Sequence, residues 1–449
     1  MQAFASHELG PLGAQLVAQI EQAYRAVRPF PPEEAGALPA IPRQGLGMDA
    51  LPALWRAMVE RSAHLGSPWM SGHMDTAPHP AAALTQALLA ALNNNLLFRE
   101  LSPMASAAEE QLIGFFRDAL GLGADWNGLF ASGGSLANMN CLFAATGGFA
   151  GVERRAQQHI LAPESAHVSV AKSAAVLGIP AARVHRIACD AGGHAELPAL
   201  EDTLRSLPAA AIPIVVSMLG TVIHGAVDRI DAVADICERH RAWHHVDAVY
   251  GAGLCASTQH RALLRGLDRA DSIALGPQKW MYVPRLCAVA MVRGRQRFDG
   301  ALGTALPYSL GQSQHRGQWG LQGSRPADAL LLWTVLQVVG TEALGAQVDR
   351  SIGLAGTLHT RLAGSARLEP AHAPDLNIQT LRLRGGDPDG SRTLRVQQLL
   401  AERGKTWLSV SRWKDESLLR AVLLSPALTP QHLEAMVAEV EQACADAPA

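Results

Sequence analysis

One stretch decides the fold. It runs Ile212-Pro-Ile-Val-Val-Ser-Met-Leu219, then a segment over Asp228–Arg239, then Trp243-His-His-Val246. The outer two pieces have the length of buried strands, and the first is an apolar run rich in β-branched residues. The middle piece repeats apolar residues at Ile230, Val233, Ala234 and Cys237, the three-to-four spacing of one helix face. A strand, a helix and a strand in so short a span predict a βαβ unit, whose crossover makes the two strands parallel neighbours. Further strands are predicted at Ser272–Leu275 and Cys287–Val292. Trp126 to about Val292 therefore reads as an α/β domain with a mainly parallel sheet.

On the amino-terminal side lies an arm, residues 1–65. A helix near Leu16–Val27 runs into Pro29, Pro31 and Pro32, and a second covers Asp49–Ala63. A loop rich in Pro, Gly and His follows from Gly66 to Pro80, then helical spacing over Ala81–Leu97. Ser106 with Glu109 forms a capping-box pattern that predicts a helix from Ser106 to Leu120, closed by Gly121. On the carboxyl-terminal side, Ala327–Leu362 reads as one long helix. From Leu368 the order is strand, helix, strand, strand, helix, a small α+β domain whose last helix, Pro430–Cys444, starts after Thr429 as N-cap. The predicted division is 1–65, 66–326 and 327–449.

The 449 residues are enough for two or three domains. With 48% apolar and 17% charged residues, the composition excludes a disordered chain. The 38 basic and 40 acidic residues nearly cancel, at net charge −2, which argues against a broad nucleic-acid surface. None of the six cysteines forms a CxxC pair, so neither a zinc ribbon nor a dense disulfide framework is expected. The opening Met1–Gly13 has no basic region followed by an apolar one, and no apolar run approaches the ~20 residues of a membrane span. The expectation is a cytoplasmic protein with neither nucleic acid nor membrane as partner.

Four segments carry chemistry. Phe130-Ala-Ser-Gly-Gly-Ser-Leu-Ala-Asn138 leads small residues into a helix, exposing N–H groups and the positive end of the helix dipole to an anion. Gly-Lys-Ser/Thr and GxGxxG are both absent, and such a turn is also an ordinary connection. His167-Val-Ser169 places a histidine near a helix start. His245-Val-Asp-Ala-Val-Tyr-Gly251 places Asp247 at the carboxyl end of a buried strand, where burial is costly unless a cation meets it. Asp271-Ser-Ile-Ala-Leu-Gly-Pro-Gln-Lys-Trp280 places Lys279 just past another strand in apolar company, a candidate Schiff-base amine. No metal site is expected: His240, His244 and His245 lack HExxH, and the strand beginning near Trp243 breaks the helical face. Ser132 and Ser135 lack the GxSxG context of a nucleophile.

Together these segments resemble the pyridoxal-phosphate-dependent group II decarboxylases, which include glutamate, aromatic amino acid, diaminobutyrate and cysteine sulfinate decarboxylases. The resemblance runs from about Gly66 to Cys444. It implies the aspartate-aminotransferase-like fold (fold type I), with a large cofactor domain and a small carboxyl-terminal α+β domain. It also implies pyridoxal 5'-phosphate as cofactor, a small-molecule amino acid substrate and a homodimer. By that resemblance Lys279 carries the cofactor as an internal aldimine, Asp247 pairs with the pyridine nitrogen and His167 stacks on the ring. Gly133, Gly134 and Ser135 hold the phosphate, and Thr221, Val249, Ser272 and Gln278 line the cofactor pocket. Arg420 matches an arginine that receives the substrate carboxylate. His73 and Met74 lie on a loop that approaches the substrate in relatives, and His79 flanks that loop.

The sequence departs from the family pattern at four pocket positions. Gln278 stands where histidine is usual, Gly276 where Asn or Asp is usual, Val249 where a second alanine is usual, and Val222 where a second threonine is usual. The loop before Trp319-Gly-Leu-Gln-Gly-Ser-Arg325 is also short. In relatives it carries a tyrosine that protonates the carbanion after carbon dioxide leaves. Here Tyr308 and His315 are both candidates for that donor. The resemblance implies decarboxylation of an L-amino acid to its amine. Oxidative deamination to an aldehyde, carbon–carbon lyase chemistry and a non-catalytic cofactor-binding homologue stand as alternatives.

Overall fold

The computed structural model describes residues 9–31, 38–305 and 315–447. The chain divides into a larger unit, Pro78–His359 with Ala371–Thr380, and a smaller one built from Met1–Ala77, Thr360–Pro370 and Leu381–Ala449.

The larger unit carries one seven-stranded sheet. Its strands are β1 (Trp126–Ala131), β2 (Gln158–Pro163), β3 (Val184–Ile187), β4 (Ile212–Met218), β5 (Trp243–Ala248), β6 (Ser272–Leu275) and β7 (Ala288–Arg293), in the order β1-β7-β6-β5-β4-β2-β3. The pairs β3–β2–β4–β5–β6 are parallel, and β7 runs antiparallel to both β6 and β1. Six strands therefore end on one edge, where open α/β sheets place their ligands.

Alternate strand residues face opposite sides. On one side Ala274, Ala290 and Val292 pack with Ala137, Cys141 and Leu142 of the helix Gly134–Ala145. On the other, Val215 packs with Val233, Ile236 and Cys237 of the helix Ile230–His240. Both faces are covered, which is why β4, β6 and β7 read as largely apolar runs. The predicted βαβ unit is present with its limits moved by a residue or two.

Two expectations are corrected. The predicted capping box at Ser106 does not form: the helix runs Pro103–Ala119, and Ser106 lies buried within its first turns. Proline preset at the first helical position starts the helix earlier. Glu109 instead pairs with Arg325 at 3.1 Å and accepts from the Phe130 N–H at 2.8 Å. Second, one helix among the described residues, Ala329–Ala363, is long and apolar enough to cross a membrane. Gly340 interrupts it with φ 78°, and its Leu331, Leu332, Val335, Leu344, Val348 and Leu358 are buried in the protein.

The smaller unit has a four-stranded sheet, β8 (Leu368–Pro370), β9 (Ile378–Leu383), β10 (Ser409–Trp413) and β11 (Glu416–Val422), in the order β10-β11-β9-β8. Two strands, rather than the predicted one, precede its first helix, Ser391–Arg403. The last helix, Pro430–Asp446, is capped as predicted: Thr429 Oγ1 accepts from the His432 N–H. Helices Gly10–Arg25 and Leu51–Glu60 bury no residue within this chain.

Candidate active site

The five catalytic and cofactor segments leave the sheet at its carboxyl edge. Ser132–Ser135 follows β1, His167 follows β2, Thr221 follows β4, Asp247 stands one residue from the end of β5, and Lys279 follows β6. Asp247 is 3% exposed. Its Oδ2 accepts from Asn138 Nδ2 at 2.8 Å and its Oδ1 from the Val249 N–H at 3.1 Å. Both donors are neutral. Burial pushes the carboxyl pKa up, opposed by these two hydrogen bonds and by the nearby His167 ring. A carboxylate so placed is stabilised by a cation brought to it.

Asn138 sits one helical turn beyond Gly134 and organises more than Asp247. Its Nδ2 also donates to Ser169 Oγ at 3.0 Å, and its Oδ1 meets His245 Nε2 at 3.0 Å. His245 Nδ1 lies 3.0 Å from Ser272 Oγ, which accepts from Trp243 Nε1 at 2.9 Å. Donor chemistry fixes the protons along this chain. The Asp247 carboxylate only accepts, so the Asn138 amide nitrogen faces it and the Asn138 oxygen, also an acceptor, faces His245, whose Nδ1 then accepts from the Ser272 hydroxyl. The His245 proton is then on Nε2, facing the Asn138 carbonyl oxygen, which leaves the Asn138 amide protons for Asp247 and Ser169. Burial lowers the His245 pKa to about 3, keeping that ring neutral. The Ser169 hydroxyl ends the branch on His167 Nδ1 at 2.7 Å. The Ser169 N–H donates to the same nitrogen at 3.1 Å, so the His167 proton sits on Nε2.

Lys279 is half-buried between Gln278 and fully buried Trp280. Ala248 pairs with Leu275 across β5 and β6, so the lysine departs beside the end of the Asp247 strand. Its N–H donates to the Gly276 carbonyl at 3.0 Å. Gln278 Oε1 accepts from the Cys287 N–H at 2.9 Å, tying the start of the lysine turn to the start of β7. Val249 stands between two glycines. A Cβ at Gly134 would come within 2.5 Å of Val249 Cγ1, and one at Gly276 within 2.3 Å of the Val249 carbonyl oxygen. The glycine at 276 and the valine at 249, both departures from the family pattern, are thus packed against each other.

The remaining predicted residues separate into groups. Gly133, at φ 93°, and Gly134 form the turn into the buried helix, with Ser135 exposed at its first turn. Thr221 is fully buried, and its Oγ1 accepts from the Ala226 N–H at 3.0 Å. Ser272 is placed two residues back from the edge, where it meets His245 rather than the rim; it reaches Asp247 only through His245 and Asn138. In the smaller unit, Arg420 Nη2 donates to the Gly72 carbonyl at 2.9 Å, bringing Arg420 to the loop of His73 and Met74. Gly72 is held tightly there: a Cβ would lie 2.6 Å from the Trp407 ring. His79 caps the helix Pro80–Leu92. Buried His315 caps a short turn, its Nδ1 accepting from the Arg99 N–H at 3.3 Å, with Phe98 edge-on. Tyr308 lies outside the described residues. The residues that sequence reasoning missed are Asn138 and Ser169, and His245 in its buried role.

A lysine amine, a buried carboxylate without a cationic hydrogen-bond partner and a glycine turn at the N-terminus of a twelve-residue helix fit an aldehyde, a pyridinium and a phosphate on one molecule. The comparisons agree. The sequence model of the pyridoxal-dependent decarboxylase conserved domain matches residues 50–378. L-2,4-diaminobutyrate decarboxylase of Rhizobium meliloti (strain 1021) is 30% identical over 405 residues, 88% of this chain and 81% of that protein. Among solved structures, Oryza sativa TDC with PLP and tryptamine superposes with a TM-score of 0.90 at 21% identity, covering 99% of each chain. Mouse CSAD in apo form gives 0.89 at 21% identity, covering 97% of this chain and 98% of its own. The chain belongs to the pyridoxal-dependent decarboxylase family. It is a carboxy-lyase of amino acids whose cofactor is pyridoxal phosphate.

Proposed function

We propose that this protein releases carbon dioxide from an L-α-amino acid and returns the amine, as a cytoplasmic homodimer. L-2,4-diaminobutyrate is the first substrate to try, because the Rhizobium meliloti relative is named for it. The observation that carries the reading is buried Asp247, met by neutral donors, at the sheet edge where Lys279 departs.

Bound pyridoxal phosphate supplies an electron-accepting ring for the pair left when the bond from Cα to the carboxylate breaks. Asp247, held as an acceptor by Asn138 and the Val249 N–H, keeps a proton on the ring nitrogen and so sustains that demand. Lys279 supplies the primary amine that retains the cofactor. His167, its ring held by Ser169 at Nδ1, presents a ring face to it. Gly134 and Ser135 offer backbone N–H groups to the phosphate, beyond the turn at Gly133, whose own N–H donates to the Ala131 carbonyl at 2.8 Å. By the family resemblance, the Arg420 guanidinium fork is the group that would receive the substrate carboxylate. Tyr308 and His315 remain the two candidates for returning the proton to Cα.

The dimer is supported by apolar surface that this chain leaves open. Helices Gly10–Arg25 and Leu51–Glu60 bury nothing, and Leu84, Leu88 and Leu92 form an exposed stripe at four-residue spacing on Pro80–Leu92.

The test is one incubation of the holoprotein with an amino-acid panel, measuring carbon dioxide, amine, aldehyde, ammonia and peroxide. Carbon dioxide with stoichiometric amine supports the reading, and Lys279→Ala abolishes both. Carbon dioxide with aldehyde and peroxide replaces it with oxidative deamination. No carbon dioxide from any amino acid overturns it.

A further inference from the structure

At the edge of the large sheet opposite Lys279 and Asp247, the structure holds a solvent-open cavity of about 620 Å3. Trp243, at the start of β5, and Arg293, at the end of antiparallel β7, form part of its wall. The lining is strongly basic. Arg154, Arg241, Arg269, Arg293 and Arg297 meet there, against only Glu238 and Asp271. In a chain of net charge −2, that is a concentration of positive charge at one place.

The carboxylates do not neutralise it. Arg293 and Arg297 share one oxygen, Asp271 Oδ1, at 3.0 and 2.9 Å. The other oxygen of Asp271 accepts from the His244 N–H at 3.0 Å. Glu238 is taken by Arg269, which also meets Asp235 outside the lining. Among the described residues, Arg154 and Arg241 have no ion pair. Guanidinium groups gathered without enough counter-charge repel one another, and an anion in the cavity relieves that.

A second observation points to the same place. His244 is in the cavity wall and 1% exposed. Its Nε2 meets Ser217 Oγ at 2.7 Å, while its Nδ1 has no hydrogen-bond partner. A buried ring nitrogen left unpartnered, on a residue that lines the cavity, marks a wall whose polar groups are not all satisfied within the chain. We infer that this cavity is a second binding site, distinct from the cofactor site, for a small polyanion carrying phosphate or several carboxylates. Guanidinium forks supply the bidentate contacts that such oxygens accept.

The experiment uses holoprotein, so that the cofactor's own phosphate site is filled. Inorganic pyrophosphate and citrate are titrated separately by calorimetry, the first probing phosphate chemistry and the second carboxylates. The variant is Arg154→Ala with Arg241→Asn. Asparagine tolerates the left-handed backbone of Arg241, at φ 53°, so the helix end is kept. Saturable binding of either probe that weakens roughly tenfold or more in the variant supports the site. A bound cofactor spectrum equal to that of the parent shows that the variant has folded. No saturable binding of either probe overturns the inference, and so does binding that the variant retains in full.

Discussion

Asn138→Ala tests the arrangement that gives Asp247 its properties. The substitution removes the Nδ2 donor at 2.8 Å and leaves the Val249 N–H as the remaining hydrogen bond to that carboxylate. A hydrogen bond to a charged group is worth roughly 1.5–3 kcal/mol. Since about 1.4 kcal/mol is one pKa unit, losing it moves the Asp247 pKa about 1–2 units further up. The sign follows from the two states. Asn138 stabilises the ionised form, so its loss favours the protonated form, and a protonated Asp247 cannot pair with a pyridinium. Cofactor affinity therefore falls as pH is lowered through the Asp247 pKa, and in the variant this acid limb appears about 1–2 pH units higher. The assay is a titration of apoprotein with pyridoxal phosphate by tryptophan fluorescence at a series of pH values. Lower melting temperature alone proves nothing, because the same change strips His245 and Ser169 of partners. The displaced limb is the specific signature. A limb that stays in place, or moves toward acid, refutes the assignment of Asn138 as the residue that positions and charges Asp247.

Three further outcomes are expected. Glu109→Ala leaves the Arg325 guanidinium buried without its carboxylate, and should cost about 3–5 kcal/mol in urea unfolding; a loss under about 1 kcal/mol would mean that Arg325 is adequately held by the Phe130 and Arg316 carbonyls. His194 is raised to about 9, chiefly by its hydrogen bond to Asp375, so its stabilising effect is complete below about 6.5 and is lost as pH rises through 9. Asp375→Asn should flatten that alkaline limb in melts across pH 6 to 10, and an unchanged limb would assign the loss to another group. Arg420→Lys replaces a fork with a point charge and should raise KM for the amino acid roughly tenfold with a smaller change in kcat; an unchanged KM would leave Arg420 only as the clamp on Gly72.

The fold was legible because its signal is local. Strand β4 is buried on both faces and appears as a nearly continuous apolar run, and the helix that follows it shows its periodicity without reference to anything distant. The same locality misled at Ser106. The Ser-x-x-Glu pattern is a genuine cap only when both ends serve the helix terminus, and Glu109 is instead committed to Arg325, 216 residues along the chain. No window around residue 106 contains that information.

The site divides along the same line. Asp247 and Lys279 were accessible because each stands at a strand end beside recognisable neighbours. Ser272 was expected on the cofactor, yet parallel register sets it opposite His245, two residues short of the rim. Asn138, in the helix that follows the glycine turn, has nothing in its local sequence that assigns it a task. Its helical position, four residues beyond Gly134, could have suggested that it faces the sheet, but its partners His245 and Asp247 lie 107 and 109 residues away. What the sheet contributes is a fixed rise and alternation that place Trp243, His245 and Asp247 on one face. Asn138 can then bridge the last two while Ser272 bridges the first two. The charge of Asp247 is therefore a property of the strand and its covering helix together. Restoring a donor from a different position on that helix, without moving the strand, should restore the acid limb only if its geometry reaches Oδ2 as Asn138 does.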